Sequence, residues 1–252
     1  MPLHLRLMLP ALCLATGLAL GYIQPAGLIA GAALCALLLY ADKHLPSALW
    51  TTLSLLACIA FAAHLVPGFN ATPLWPPRQL SADAMPYTLR LSWDKLLVGV
   101  TLLAWWLGQK NPSNPLSSGV WLTAALTLLG VPLLALALGL VGWQPKWPAQ
   151  LLLWLAVNLG VAVLAEELLF RGLLQNSLTR WLGAWAGIGL TALLFAAVHL
   201  PFSPLFAVVA GVAGLGYGLI FHFSGRISLA IALHGAVNLL HLLLLSYPLR
   251  MA

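Results

Sequence analysis

Long apolar stretches constrain this chain more than any other feature of its sequence. Several of them approach the roughly 20 residues that a helix needs to cross the hydrocarbon core of a bilayer. We predict spans at 7–23, 27–41, 47–66, 93–108, 119–142, 149–174, 183–200, 204–223 and 227–246. The second and the fourth are the shortest, and either could be re-entrant or interfacial. The pattern predicts an all-α fold, a polytopic transmembrane bundle of about eight to nine helices.

Composition supports the same class of protein. Charged residues make up 6% of the chain and hydrophobic residues 62%, whereas a soluble domain carries roughly 25% charged residues. The sequence also lacks the alternating pattern of an outer-membrane barrel. We therefore expect an integral membrane protein that is surrounded by the lipid bilayer.

The net charge of +6 does not indicate a nucleic-acid partner. The Lys and Arg residues lie singly at the ends of apolar runs, as expected for positive-inside and headgroup contacts. They form no cluster that could follow a phosphate backbone.

One connection is long and rich in proline, and it divides the chain. We predict that residues 67–94 form a partly ordered loop on a membrane face. The loop separates N-terminal transmembrane helices, in residues 1–66, from a helical core in residues 95–252. No internal repeat is visible, so the inverted-repeat pattern of many transporters is missing.

Two adjacent acidic residues lie deep in the sixth span. An ionisable group at that depth costs at least ~2.5–3.5 kcal/mol on insertion scales, which makes Glu166 and Glu167 candidates for function. Neighbours on a helix differ by about 100°, so the two carboxylates point in different directions. Glu167 and Arg171 are four residues apart and can form an ion pair on one face. That leaves Glu166 to face another surface, such as a hydrated cavity, unless all three form one structural polar cluster.

Two later spans bring further polar groups. His199 lies at the end of the seventh span, and His234 and Asn238 lie four residues apart on one face of the ninth. Singly, such residues are more typical of interfacial histidines or of hydrogen bonds between helices. Together with Glu166 they supply a carboxylate, two imidazoles and an amide, which are the groups needed to activate water and stabilise an oxyanion. We predict that the four side chains meet around one hydrated pocket.

Three short motifs carry a resemblance to a known family. They are Glu-Glu-x-x-x-Arg, Phe-x-x-x-His and His-x-x-x-Asn, in that order on successive apolar spans. Here they read Glu166-Glu167-x-x-x-Arg171, Phe195-x-x-x-His199 and His234-x-x-x-Asn238. The region 149–246 thus resembles the CPBP family, the CAAX-protease and bacteriocin-processing (Abi-type) intramembrane endopeptidases.

The resemblance implies a helical membrane peptidase and gives each motif residue a role. Glu166 and His199 would position and deprotonate the attacking water. His234 and Asn238 would hold the developing oxyanion. The substrate would be a membrane-anchored protein or peptide.

The resemblance also implies a supporting role and a location. Glu167 and Arg171 would stabilise the fold of the site. We expect the protein in the inner (cytoplasmic) membrane of a bacterium.

A zinc-dependent version of the same peptidase is an alternative. Glu166, His199 and His234 could supply three ligands, with water as the fourth. The helix motif His-Glu-x-x-His is absent from the sequence, and Asn238 suits an oxyanion better than a metal. We therefore expect no cofactor.

Two alternatives come from other functional classes. A non-enzymatic bacteriocin-immunity protein or membrane scaffold could share the fold, although the complete motif set argues against it. A proton-coupled transporter would also use buried Glu and His, but the missing repeats disfavour it.

Overall fold

The computed structural model describes residues 1–110 and 112–251. Within these ranges the chain forms nine helices and one pair of short strands, which confirms the predicted all-α class. The helices are α1 (Leu3–Ala19), α2 (Pro25–Leu39), α3 (Ser47–Ala62), α4 (Trp93–Trp106), α5 (Ser118–Ala137), α6 (Leu151–Leu182), α7 (Ala184–Ala197), α8 (Pro204–Ser224) and α9 (Ile227–Leu244).

Five of the nine helices in the described ranges are long and apolar enough to cross a membrane. They are α2 with the turn that follows it, α5, α6, α8 and α9. Nine helices thus form where the sequence predicts them, and the other four are shorter. The second span, expected to be among the shortest, reaches 19 residues because a 3₁₀ turn extends it to Lys43.

The sixth helix is longer than predicted. It was expected to end near residue 174, but it continues to Leu182. Gly183 follows with a φ of 87°, a conformation that favours glycine and ends the helix. Two π-helical segments, Asn158–Val163 and Leu168–Gln175, flank a single α-helical turn, Leu164–Glu167. Widened turns of this kind are frequent at functional sites.

The long connection contains regular structure that the sequence did not indicate. Strand β1 (Ala71–Pro73) pairs antiparallel with strand β2 (Arg90–Ser92). Helix α4 begins directly after β2, so Asp94 lies in the first turn of a helix rather than at the end of a loop.

The described chain divides into two compact units. Unit 1 comprises Met1–Leu74, Arg90–Lys110 and Ala156–Leu174, which hold α1 to α4, both strands and the middle of α6. Its centre is α4, which contacts α1, α2, α3 and α6 and has ten of its 14 residues buried. At 1.5 Å per residue α4 is about 21 Å long, so it is a short buried helix rather than a full span.

Unit 2 comprises the described residues of 75–89, 111–155 and 175–252, which hold α5, α7, α8, α9 and the two ends of α6. Helix α8 packs against α7 and α5, and α7 packs against the end of α6. A Cβ at Gly187 would lie 2.7 Å from the Thr179 nitrogen, so α7 approaches α6 closely because this residue is glycine.

A loop caps the C-terminal end of α9 within unit 2. The Gln144 and Lys146 amides donate to the Leu244 and Leu243 carbonyls at 2.8 and 2.7 Å, and the Lys146 ammonium donates to the Leu245 carbonyl. These bonds satisfy carbonyls that a helix end leaves without partners. Burial lowers the pKa of Lys146, and the Asp83 carboxylate partly offsets that effect. The cap fixes the end of the helix that carries His234 and Asn238.

Candidate functional site

Glu166 lies in unit 1, on the α-helical turn between the two π-helical segments of α6. Its Oε1 atom is 3.0 Å from the Nζ atom of Lys95 on α4. The Glu166 side chain is 20% exposed and the Lys95 side chain is 24% exposed, so the pair is partly accessible from the surface. The sequence did not indicate this partner, because Lys95 lies 71 residues earlier in the chain.

Glu167 and Arg171 form the ion pair that their spacing predicts. Arg171 Nη1 donates to Glu167 Oε1 at 2.8 Å, and both side chains are 0% exposed. Two buried charges are tolerated only when they are paired and hydrogen-bonded. The pair therefore fixes the turn of α6 that carries Glu166, and it does so from a different face of the helix.

His199 lies two residues past the end of α7 in unit 2 and is half-buried. Its Nδ1 atom is 2.7 Å from the carbonyl oxygen of Phe195. A carbonyl oxygen can only accept, so Nδ1 carries the hydrogen, and the Nε2 atom of the neutral ring is left as the acceptor. The Phe195 ring also packs against the imidazole, with centroids 4.6 Å apart. The four-residue spacing thus orients His199 as a group that can take a proton.

His234 is buried on α9, and two aromatic rings from neighbouring helices fix its orientation. Tyr217 of α8 stacks on the imidazole with centroids 4.5 Å apart and an interplanar angle of 15°. Phe195 of α7 meets the same ring edge-on at 6.0 Å. Tyr217 is a residue that sequence reasoning missed, because nothing in the local pattern of α8 links it to α9.

One cavity in unit 2 brings three of the predicted site residues together. It has a volume of about 100 Å³ and is lined mostly by apolar side chains. Its polar lining comes from His199, Tyr217, His234, Asn238 and His241. Such a space has room for several water molecules, and polar groups at the wall can hold them. The arrangement can therefore place water next to two imidazoles and an amide.

The C-terminal segment forms part of the cavity wall through Leu245 and Leu249. The segment is tied down on both sides within unit 2. Ser246 Oγ donates to Asp83 Oδ2 at 2.7 Å, and the Ser246 amide donates to the Gly142 carbonyl at 2.9 Å. The wall is thus built from hydrogen-bonded backbone rather than from a loose tail.

Within residues 1–110 and 112–251, no group of three or more His, Cys, Asp or Glu side chains is arranged to hold a metal ion. The polar residues described above can act on water directly through proton transfer and hydrogen bonding.

One feature of the sequence, Gly99, points to a close helix contact near Lys95. Gly99 lies one turn after Lys95 on the same face of α4, and a Cβ at Gly99 would lie 3.4 Å from the Ala165 nitrogen. A glycine in a short helix indicates a close helix contact. The sequence alone does not say which helix makes that contact.

Comparison with protein families supports the resemblance of the motifs. Residues 148–240 match the family described as Type II CAAX prenyl endopeptidase Rce1-like. The match includes all three motifs, whereas α1 to α5 lie outside it. Neither the curated proteins nor the solved structures give a significant match.

The family match and the five long apolar helices together support an integral membrane protein and, in general, an intramembrane CAAX-type endopeptidase. Over residues 148–240 this chain is similar to the CPBP family, in its Rce1-like branch.

Proposed function

We propose that this protein hydrolyses a peptide bond in a membrane-anchored protein or peptide, without a metal ion. The observation that carries the proposal is the cavity of unit 2, which His199, His234 and Asn238 all line. These residues come from two separate parts of the chain, and both parts fall inside the family match. A cavity with room for water, lined by groups that can accept or donate a proton, is what hydrolysis requires.

The proposed reaction assigns a role to each group. Glu166 and His199 position one water and take its proton as the water oxygen bonds to the carbonyl carbon of the substrate. His234 and Asn238 donate hydrogen bonds to the oxyanion that develops. The proton then passes to the amide nitrogen as the C–N bond breaks, which releases an amine and a carboxylate. Glu167 and Arg171 hold the turn of α6 on which Glu166 lies.

The orientation of His199 supports its part in this scheme. Since Nδ1 donates to the Phe195 carbonyl at 2.7 Å, Nε2 is the ring nitrogen that can accept from water. His234 has a fixed ring plane because Tyr217 stacks on it. Preorganised donors of this kind stabilise a transition state more than donors that must reorient.

Glu166→Gln is expected to abolish cleavage while the protein still inserts and accumulates. Glutamine has nearly the same shape but cannot take a proton, and loss of a general base typically costs about 10²–10⁴ in rate. Comparative proteomics of membrane fractions from cells that make either form would reveal substrates with an uncut terminus. Asp42→Asn is the matched control, because it makes the same carboxylate-to-amide change in the turn after α2, outside the three motifs.

Purified protein in detergent would then be tested on the cleaved substrate and on a farnesylated CAAX peptide. Wild-type rates in Glu166→Gln would remove the assignment of the base. An unchanged cellular phenotype in that variant would favour a scaffold or immunity role instead.

We also propose that the protein resides in the inner membrane of a bacterium. The proposal is supported by the family resemblance and by helices long enough to cross a bilayer. Fractionation of inner and outer membranes with an antibody to the protein would test it.

A further inference from the structure

An ammonium group contacts the proposed base, and the fold holds it there. Lys95 lies in the first turn of α4, and its backbone amide donates to Asp94 Oδ1 at 2.8 Å. The other carboxylate oxygen of Asp94 is 2.7 Å from His64 Nδ1. Asp94 is buried, and His64 follows the end of α3 with a φ of 60°. The start of α4 is therefore tied to the end of α3.

The packing of α4 against α6 places Lys95 beside Glu166. Helix α4 lies against α6 at Gly99, where a Cβ would be 3.4 Å from the nitrogen and 3.5 Å from the Cα of Ala165. Lys95 lies four residues before Gly99, on the same face of α4. Glu166 is the next residue after Ala165. The Lys95–Glu166 contact thus follows from a close approach of two backbones.

On the same helix as Glu166, Glu167 and Arg171 form an ion pair with each other. Glu167 is the next residue, and it pairs with Arg171 at 2.8 Å with both side chains fully buried. The Lys95 ammonium, which Glu166 contacts at 3.0 Å, comes from α4. Lys95 supplies the counter-charge that an ionised carboxylate needs between apolar helices.

We propose that Lys95 is a positioning residue for Glu166, an inference that rests on the proposed function. Its ammonium fixes the Oε1 atom and so sets the direction in which the rest of the carboxylate points. A base that is held in one orientation meets its water in the productive geometry more often. Lys95 then affects turnover rather than substrate binding.

The test compares Lys95→Met, Lys95→Gln and Lys95→Arg with wild type, using the substrate that the wild-type protein cleaves. We expect kcat to fall roughly 10- to 100-fold in the Met and Gln variants, with KM nearly unchanged, since misplacing a catalytic group can cost about that much. Lys95→Arg keeps the charge and should recover most of the lost activity. Lys43→Met is the matched control, because Lys43 is an exposed lysine of the same unit.

A double variant separates positioning from a merely structural role. If Lys95 acts through Glu166, adding Lys95→Met to Glu166→Gln should cause no further fall in the residual rate, measured at an enzyme concentration high enough to detect it. The Tm and the folded fraction of each variant are measured in parallel. Wild-type kcat in Lys95→Met, or a loss that only follows the folded fraction, would overturn the inference. If Lys95→Met does not accumulate, the same criteria apply to Lys95→Gln.

Failure of the proposed function has a different signature. In that case Glu166→Gln retains activity, whatever the Lys95 variants do. An inactive Glu166→Gln together with fully active Lys95 variants would leave the proposed function standing and remove Lys95 alone.

Discussion

At the scale of single residues, the ion pair between Glu167 and Arg171 carries a clear energetic consequence. Both side chains are 0% exposed, and the bond between them is 2.8 Å long. Removing one partner leaves the other charge buried without its counter-charge, which typically costs about 3–5 kcal/mol.

We therefore expect Glu167→Gln to lower thermal stability strongly. Replacing both residues with leucine should cost less than the single change, because neither member of the pair is then left buried without the other. Thermal unfolding in one detergent, followed for both variants and wild type, measures the difference. Equal stability of Glu167→Gln and wild type would show that the pair is not what holds this turn.

The residue scale also shows which contacts a sequence can predict. The Glu167–Arg171 pair follows from a spacing of four along one helix, and so does the alignment of His234 with Asn238. The contact between Lys95 and Glu166 depends on how two helices pack across 71 residues of chain. Local periodicity carries no information about that distance. The roles of the four catalytic candidates stay predictions.

At the scale of elements, two glycines of α7 differ in how closely their surroundings approach them, and they can be compared directly. A Cβ at Gly187 would lie 2.7 and 2.8 Å from the Thr179 nitrogen and Cα, whereas a Cβ at Gly189 would meet nothing within 4 Å. Both residues lie inside the helix that leads to His199.

Gly187→Ala is expected to destabilise the protein by about 1–3 kcal/mol, because the added methyl group forces two backbones apart. Gly189→Ala should be neutral or stabilising by up to about 1 kcal/mol, since alanine favours the helix. The Tm values of the two variants and the cleavage rate test this together. Similar behaviour of both variants would contradict the close approach of α7 to α6.

Helix positions were predictable because apolar run length is a local property of the chain. The start of α8 at Pro204 and the break before α9 both follow from the sequence. The extension of α6 to Leu182 was not predicted, and Gln175, Asn176 and Ser177 interrupt the apolar run at that point. The strands β1 and β2 are three residues long, and their pairing depends on contacts distant in sequence.

At the scale of the whole molecule, the absence of a metal ion is the part of the proposal that most needs a measurement. The carboxylate in the zinc alternative, Glu166, has the Lys95 ammonium 3.0 Å from its Oε1 atom. A positive neighbour at that distance repels a divalent cation.

We expect active purified protein to contain no stoichiometric zinc and to keep its activity after dialysis against a chelator. Elemental analysis of the fraction that cleaves substrate measures the metal content per chain. Activity that disappears with the chelator and returns with zinc would establish the metalloprotease instead.

The division of the chain into two units could not be predicted from the sequence. Unit 1 takes three separate pieces of the chain and unit 2 takes three others. Composition marks the long connection at residues 67–94, but it cannot show that part of this connection, Trp75–Leu89, belongs to unit 2. Assignment of such a piece depends on its contacts, as with the bond from Ser246 to Asp83.

The bond from His199 Nδ1 to the Phe195 carbonyl has a consequence for inhibitor chemistry. With one ring nitrogen engaged by the backbone, a small molecule in the cavity has Nε2 as its point of attachment on this ring. A compound that offers a hydroxyl or amide donor toward Nε2, with a compact apolar body for the remaining wall, fits the described space. Leu245 and Leu249 form part of that wall and limit the size of a group that fits beside them.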